Sequence, residues 1–234
     1  MITFTSDMQV RLIDSMGSDA SIVQAARVSL SGENDVDMTD VKSSGLINYL
    51  MRKKHGSPFE HTALKFYVKA PIFVFREFHR HRVGFSYNEM SGRYTTLLPE
   101  FYLPHNTRPL VNIGTSANPK FHEADPITVR RTQFHLKEAY ETCWANYQDM
   151  LNEGVANEVA RMCLPVGIMS QMYVTCNARS LMHFLSLRTS NEEATFPSNP
   201  QLEIEMVATQ MEDYFKQLFP LVWNAYNERG RVAP

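Results

Sequence analysis

Leu64, Phe66 and Val68 alternate with Lys65, Tyr67 and Lys69, the two-residue period of a strand with one face in the core. The apolar run Ala70-Pro71-Ile72-Phe73-Val74-Phe75 follows. With Pro71 at a first helical position, it predicts a helix that carries the polar residues after it. Elsewhere the helical period dominates. Val41, Leu46, Ile47, Leu50 and Met51 recur between Thr39 and His55, with Gly56 as the stop. Ser18-Asp19 opens a helix over Ala20 to Leu30, Ile127 to Asn152 is long and amphipathic, and Val155 to Leu164 is a helix closed by Pro165. Asn177 caps a helix over Ala178 to Arg188, and Gln201 to Phe219 is the last long helix. Strand character marks Ile2 to Met16 and Gly167 to Cys176. Gly32 to Asp37 and Thr195 to Pro200 read as loops, and Leu103 to Pro126 as a surface excursion.

Helices outnumber strands and show no regular βαβ cadence, which predicts an α+β fold, a mixed or antiparallel sheet flanked by long helices, in a single domain over residues 1–234. No GxGxxG or GxxxxGK[ST] motif is present, which disfavours a Rossmann site or a P-loop. The chain is ordinary in apolar content and carries a net charge of −2. Cys143, Cys163 and Cys176 show no CxxC spacing, as in a reducing compartment. The start MITFTSDMQV lacks the regions of a signal peptide, and no apolar run approaches the roughly 20 residues that span a bilayer. The expectation is a cytoplasmic protein that binds no membrane.

Candidate chemistry concentrates in Arg76 to Tyr94, REFHRHRVGFSYNEMSGRY, where four arginines stand against two glutamates in a chain of negative net charge. That imbalance points to an anionic ligand. On a helix Arg76 and Arg80 share a face, as do Glu77 and His81, whereas His79 and His81 point to opposite sides and cannot grip one ion, so no metal site is expected. Two other classes stay open: a nucleic-acid module using the HRHR run with Phe78, Phe85 and Tyr87, and a metal-dependent hydrolase built on His55, His61, His79 and His81. A second polar group holds Glu158, Arg161, Asn177, Arg179, His183 and Arg188.

Arg80-His81-Arg82, then eight residues, then Ser91-Gly92-Arg93-Tyr94 resembles the signature of the flavin-dependent thymidylate synthases. The resemblance extends to AARVS at 25–29, HGSPFEH at 55–61, KAPIFVFRE at 69–77, NEVARMCLP at 157–165 and NARSLMHFLSLR at 177–188. It implies methylation of dUMP to dTMP with carbon from 5,10-methylenetetrahydrofolate and hydride from FAD reduced by NADPH. All of these ligands are anions, and arginine forks hold anionic oxygens with bidentate, charge-assisted bonds. It further implies a homotetramer with active sites shared between subunits, and no nucleic-acid partner.

By the same resemblance Ser57, Arg80, His81, Arg82, Glu89, Asn177, Ala178, Arg179 and His183 contact FAD, and His55 lies near the flavin. Glu77, Phe78, His79, Arg80, Glu89, Met90, Ser91, Gly92, Arg93, Arg161 and Arg188 form the dUMP set, with Arg188 favouring ionisation at uracil N3. None of the cysteines lies in the densest part of either cluster, so each is expected as a small buried hydrophobe. Ser91, the remaining candidate nucleophile, has no obvious general base beside it and is expected as a binding hydroxyl. The implied chemistry is direct hydride delivery to an activated uracil.

Overall fold

Asp125 illustrates how local chemistry starts an element: its carboxylate accepts the amides of Ile127 and Thr128 at 2.9 and 3.1 Å, and Pro126 follows where no amide is needed. A 27-residue helix grows from that cap. The computed structural model describes residues 1–32, 41–116 and 118–234. In chain order its elements begin with β1 (Thr3–Thr5), β2 (Gln9–Met16), α1 (Asp19–Ser31), α2 (Val41–Lys53), β3 (Ala63–Pro71), α3 (Ile72–Phe78), β4 (Phe85–Glu89) and β5 (Glu100–Tyr102). They continue with β6 (Val111–Asn112), β7 (Phe121–His122), α4 (Pro126–Asn152), α5 (Asn157–Ala160), β8 (Met169–Cys176), α6 (Ala178–Arg188), α7 (Leu202–Leu218) and α8 (Pro220–Glu228). Four strands run in the order β2-β3-β8-β4, β1 pairs parallel with β5, and β6 pairs antiparallel with β7. The fold is α+β, as the periodicity predicts. Among the described residues no helix is long and apolar enough to cross a membrane.

The chain forms two compact units interleaved in sequence: Met1–Met8, Lys69–Phe78 and Glu89–Met172 in the first, Gln9–Val68, His79–Asn88 and Tyr173–Pro234 in the second. In the first, Tyr140, Trp144 and Tyr147 recur along one face of α4 and bury against Leu97, Phe101, Ala160 and Ile168. Phe101 stacks on Tyr140 at 4.8 Å, and the Tyr147 hydroxyl accepts the Leu97 amide at 3.3 Å. In the second, Leu64, Phe66 and Val68 of β3 are fully buried, as are Ile22, Ile47, Leu181, Val207 and Phe215 from four helices. Asp19 accepts the Leu221 and Val222 amides at 3.0 and 3.1 Å and so caps α8.

Several expected boundaries moved, each for a local reason. Pro71 is the last residue of β3, and α3 stops at Phe78, so Arg80, His81 and Arg82 lie beyond the helix and the helical-face argument for this run does not hold. Residues 79, 80 and 82–84 are all exposed, so a longer helix would bury almost nothing. The eight-residue spacer forms a turn at Gly84, φ +68°, and then β4. Val155 to Leu164 is shorter than expected: α5, then a 3₁₀ turn over Arg161–Cys163, ended by Leu164 in the extended conformation that Pro165 demands of its predecessor. Lys54 at φ +60°, not Gly56, turns the chain after α2. Gly56 instead lets Arg179 pass close by, since a Cβ there would meet its guanidinium. The helix α8, entered through Pro220, and the hairpin β6–β7 inside the 103–126 excursion were not expected. The predicted loop beyond Gly32 and the predicted helix start at Thr39 and Asp40 lie outside the described residues.

Candidate functional site

The turn at residues 79–84 and the C-terminal half of α6 line a cleft of about 480 Å³ in the second unit. Arg80, Arg82, His183 and Arg188 supply its polar wall, Val83, Phe85 and Leu187 its apolar one, and His81 its floor. His81 is only 6% exposed, with its ring 4.9 Å from that of Phe184 and 6.0 Å from that of Phe85. Its Nε2 accepts a hydrogen bond from Arg188 Nε at 3.1 Å, which places the proton of a neutral imidazole on Nδ1. Burial, then the charges of Arg188 and His183, hold the His81 pKa down to about 4. The Tyr87 hydroxyl donates to the His81 carbonyl at 2.7 Å, and burial pushes that phenol's pKa up. Phe85 stacks on Tyr87 and His79 meets the same ring edge-on, centroids 5.8 and 5.3 Å away. Gly84 is needed at its positive φ, and a Cβ there would strike Ser180.

The start of α6 builds a second feature of this unit. Asn177 Oδ1 accepts the Ser180 amide at 2.8 Å, and the Ala178 amide donates to Thr62 Oγ1 at 2.9 Å, so both residues serve the helix cap. Arg179 bonds Glu60 at 2.6 Å and the Pro234 carbonyl at 2.7 Å beside a pocket of about 340 Å³ that also touches His183. Ser57 is exposed at the head of a 3₁₀ turn, and His55 is exposed with its ring edge-on to Tyr49 at 5.9 Å. Neither lines the cleft of Arg188.

The first unit holds a smaller cleft, of about 170 Å³, with Arg76, Glu89, Met90, Gly92, Arg161 and Ser170 among its lining. Ser170 Oγ donates to Glu89 at 2.8 Å, and the Met90 amide donates to the Gln171 carbonyl at 2.8 Å, so β8 fixes the end of β4. Gly92 leaves room for the arginine: a Cβ there would come within 3.3 Å of Arg161 Cδ. Arg93 pairs with Glu158 at 3.0 Å, both about half exposed. Ser91 Oγ accepts the Arg93 amide at 3.3 Å, a bond internal to its turn. Phe78 is fully buried and Glu77 half-buried in α3, while His79 is exposed.

The predicted set thus falls into Arg80, His81, Arg82, His183 and Arg188 in one cleft and Glu89, Met90, Gly92 and Arg161 in another. Arg76, Ser170 and Glu60 were not among the expected site residues. Ser170 had a readable signal: with Ile168, Met172, Val174 and Cys176 it occupies the buried register of the β8 segment, and it is the one hydroxyl there. Among the described residues no three His, Cys, Asp or Glu gather to hold a metal ion. No cysteine lines either cleft, and burial raises the thiol pKa of Cys163 and Cys176.

Arginine-lined clefts on an α+β scaffold define a protein suited to anionic ligands with apolar rings. The family model described as thymidylate synthase complementing protein matches residues 11–221. A flavin-dependent thymidylate synthase of Streptomyces avermitilis is 52% identical over 99% of this chain and 96% of its own length. One from Tropheryma whipplei is 47% identical over 99% of this chain and 97% of its own. The crystal structure of the UMP/dUMP methylase PolB from Streptomyces cacaoi, bound with 5-Br UMP, superposes with a TM-score of 0.92 at 44% identity, covering 100% of both chains. The chain belongs to the flavin-dependent thymidylate synthase family.

Proposed function

We propose that this chain methylates dUMP to dTMP, with carbon from 5,10-methylenetetrahydrofolate and hydride from FAD that NADPH has reduced. The observation that carries the proposal is the cleft of Arg80, Arg82 and Arg188 over a neutral, buried His81. Three guanidinium groups beside Val83, Phe85 and Leu187 fit a ligand that joins phosphates to flat rings, as FAD and a pyrimidine nucleotide do. When bound and reduced, FAD would supply the hydride and methylenetetrahydrofolate the carbon of the new C5 methyl, with tetrahydrofolate and the C5 proton as the groups that leave. Arg80, Arg82 and His183 hold the cofactor in this reading. Arg188, permanently cationic, favours ionisation at uracil N3. Arg161 and Arg76 offer charge to the nucleotide phosphate from their own cleft. Glu89, held by Ser170, accepts hydrogen bonds there.

The raised thiol pKa values of Cys163 and Cys176 oppose thiolate formation, which supports chemistry without an enzyme nucleophile. Ser91 serves as a binding hydroxyl. The likeness to the family over almost the whole chain supports a homotetramer whose active sites draw on several subunits, with the whole chain acting as one synthase domain in the cytoplasm. The PolB relative is a UMP/dUMP methylase, so UMP is a second substrate worth testing.

An absorption spectrum of the purified protein tests the cofactor, and tritium release from 5-labelled dUMP with NADPH and methylenetetrahydrofolate tests the reaction. Bound flavin with release is the expected result. No flavin uptake and no release would overturn the proposal, and release from UMP would add the ribonucleotide.

A further inference from the structure

We infer that His81 is a positioning residue for Arg188: its Nε2 lone pair holds Arg188 Nε and fixes the guanidinium plane against which the pyrimidine is oriented. The inference rests on the proposal that Arg188 acts on the nucleotide. An arginine at the end of a helix has four side-chain torsions, and a donor bond at Nε, the atom nearest the stem, removes most of that freedom while setting the directions of both terminal nitrogens. The bond measures 3.1 Å. His81 can serve as a fixed point because it is itself immobilised, its ring packed on Phe184 and Phe85 and its carbonyl bonded by Tyr87.

The choice of imidazole also matters electrically. A carboxylate at this position would orient the guanidinium equally well but would cancel its charge, and an arginine whose task is to favour an anion on a ring nitrogen needs that charge intact. A neutral imidazole orients without compensating. Burial first, then the charges of Arg188 and His183 from α6, keep His81 neutral; Arg80 and Arg82 of its own turn line the same cleft, and the Tyr87 hydroxyl from β4 reaches its carbonyl. Its small exposure leaves His81 poorly placed for direct ligand contact, in contrast to exposed Arg80 and Arg82 on either side.

The test uses the flavin-loaded enzyme and the variants His81→Ala, His81→Gln and Arg188→Ala, singly and with His81→Ala and Arg188→Ala combined. The expected result is that His81→Ala keeps its flavin absorbance and loses at least about tenfold in kcat for dUMP. His81→Gln, whose carbonyl reaches the place of Nε2, restores most of it, and His81→Ala adds no further loss to Arg188→Ala. The wild-type rate also falls as pH drops toward the His81 pKa, a limb absent from His81→Gln. Nitrogen NMR of labelled histidine supplies a readout independent of turnover, with an acceptor Nε2 resonance that shifts in Arg188→Ala. The inference is overturned if the two losses multiply, if His81→Gln is no better than His81→Ala, or if the Nε2 resonance ignores Arg188. An Arg188→Ala enzyme with full dUMP turnover would sink the parent proposal as well, whereas loss in Arg188→Ala with none in His81→Ala sinks only the role of His81.

Discussion

The two units hold arginine in opposite ways. In the second unit Arg188 leans on a neutral, buried imidazole, inside an aromatic shell of Phe85, Tyr87 and Phe184. In the first, Arg93, which does not line the cleft of Arg76 and Arg161, pairs with Glu158 in an exposed position, and the carboxylate Glu89 within that cleft is tied to Ser170. The Arg188 Nε thus meets a partner that carries no charge, while Arg93 is paired with one that does. The contrast is between an arginine oriented by a neutral imidazole and one paired with a carboxylate.

The sharpest test of that contrast is Arg188→Ala. It is expected to lower dUMP turnover by about 100-fold or more while flavin absorbance persists, as loss of a preorganised charge beside the reacting ring does. Arg161→Ala should act mainly on KM for dUMP, by roughly tenfold, from one lost charge-assisted contact. If Arg161→Ala instead abolished kcat and Arg188→Ala only raised KM, the division of labour would be reversed. Ser170→Ala frees Glu89 and should cost about fivefold in kcat/KM, near 1 kcal/mol for a lost hydrogen bond, readable in steady-state kinetics. Glu158→Ala, on an exposed pair, should change kcat/KM by about twofold or less.

Protonation gives a fifth outcome, seen in stability rather than rate. The folded pKa of His81 lies near 4 against 6.5 in the unfolded chain. The unfolded state then binds more protons, so this group's contribution is present above pH 6.5 and is lost as pH falls through the window down to about 4. Denaturant titrations of wild type and His81→Gln across that window should show a shallower slope in the variant. Equal slopes would mean that His81 titrates normally in the folded protein.

Much of the fold is legible in the sequence where one signal dominates. Ser18, Asp125 and Asn177 stand at the starts of α1, α4 and α6, because a helix start needs a side-chain acceptor and few residues supply one. The alternation in β3 and the spacing in α4 survive intact since each buries one face. The misplaced boundaries share a different cause. The run 70–82 carries helix-compatible residues throughout, yet α3 stops at Phe78, and in the turn over 79–84 only His81 is buried. That information is absent from the run itself.

The site divides along the same line. Residue chemistry alone pointed to an anionic ligand at the Arg76–Tyr94 run, because a local excess of fixed charge is written in composition, whereas Arg161 and Arg188 entered through the family resemblance. The sequence did not contain the pairing of His81 with Arg188, 107 positions apart, nor that of Ser170 with Glu89, 81 apart. Those bonds arise from the turn at Gly84 and the sheet register that carries β8 beside β4. By itself the sequence determined the helix caps, the buried strand faces and the local excess of arginine, since these depend on short-range chemistry. Tertiary structure alone decided which arginine rests on a carboxylate and which on a neutral imidazole, because burial and distance set the protonation and orientation of a side chain.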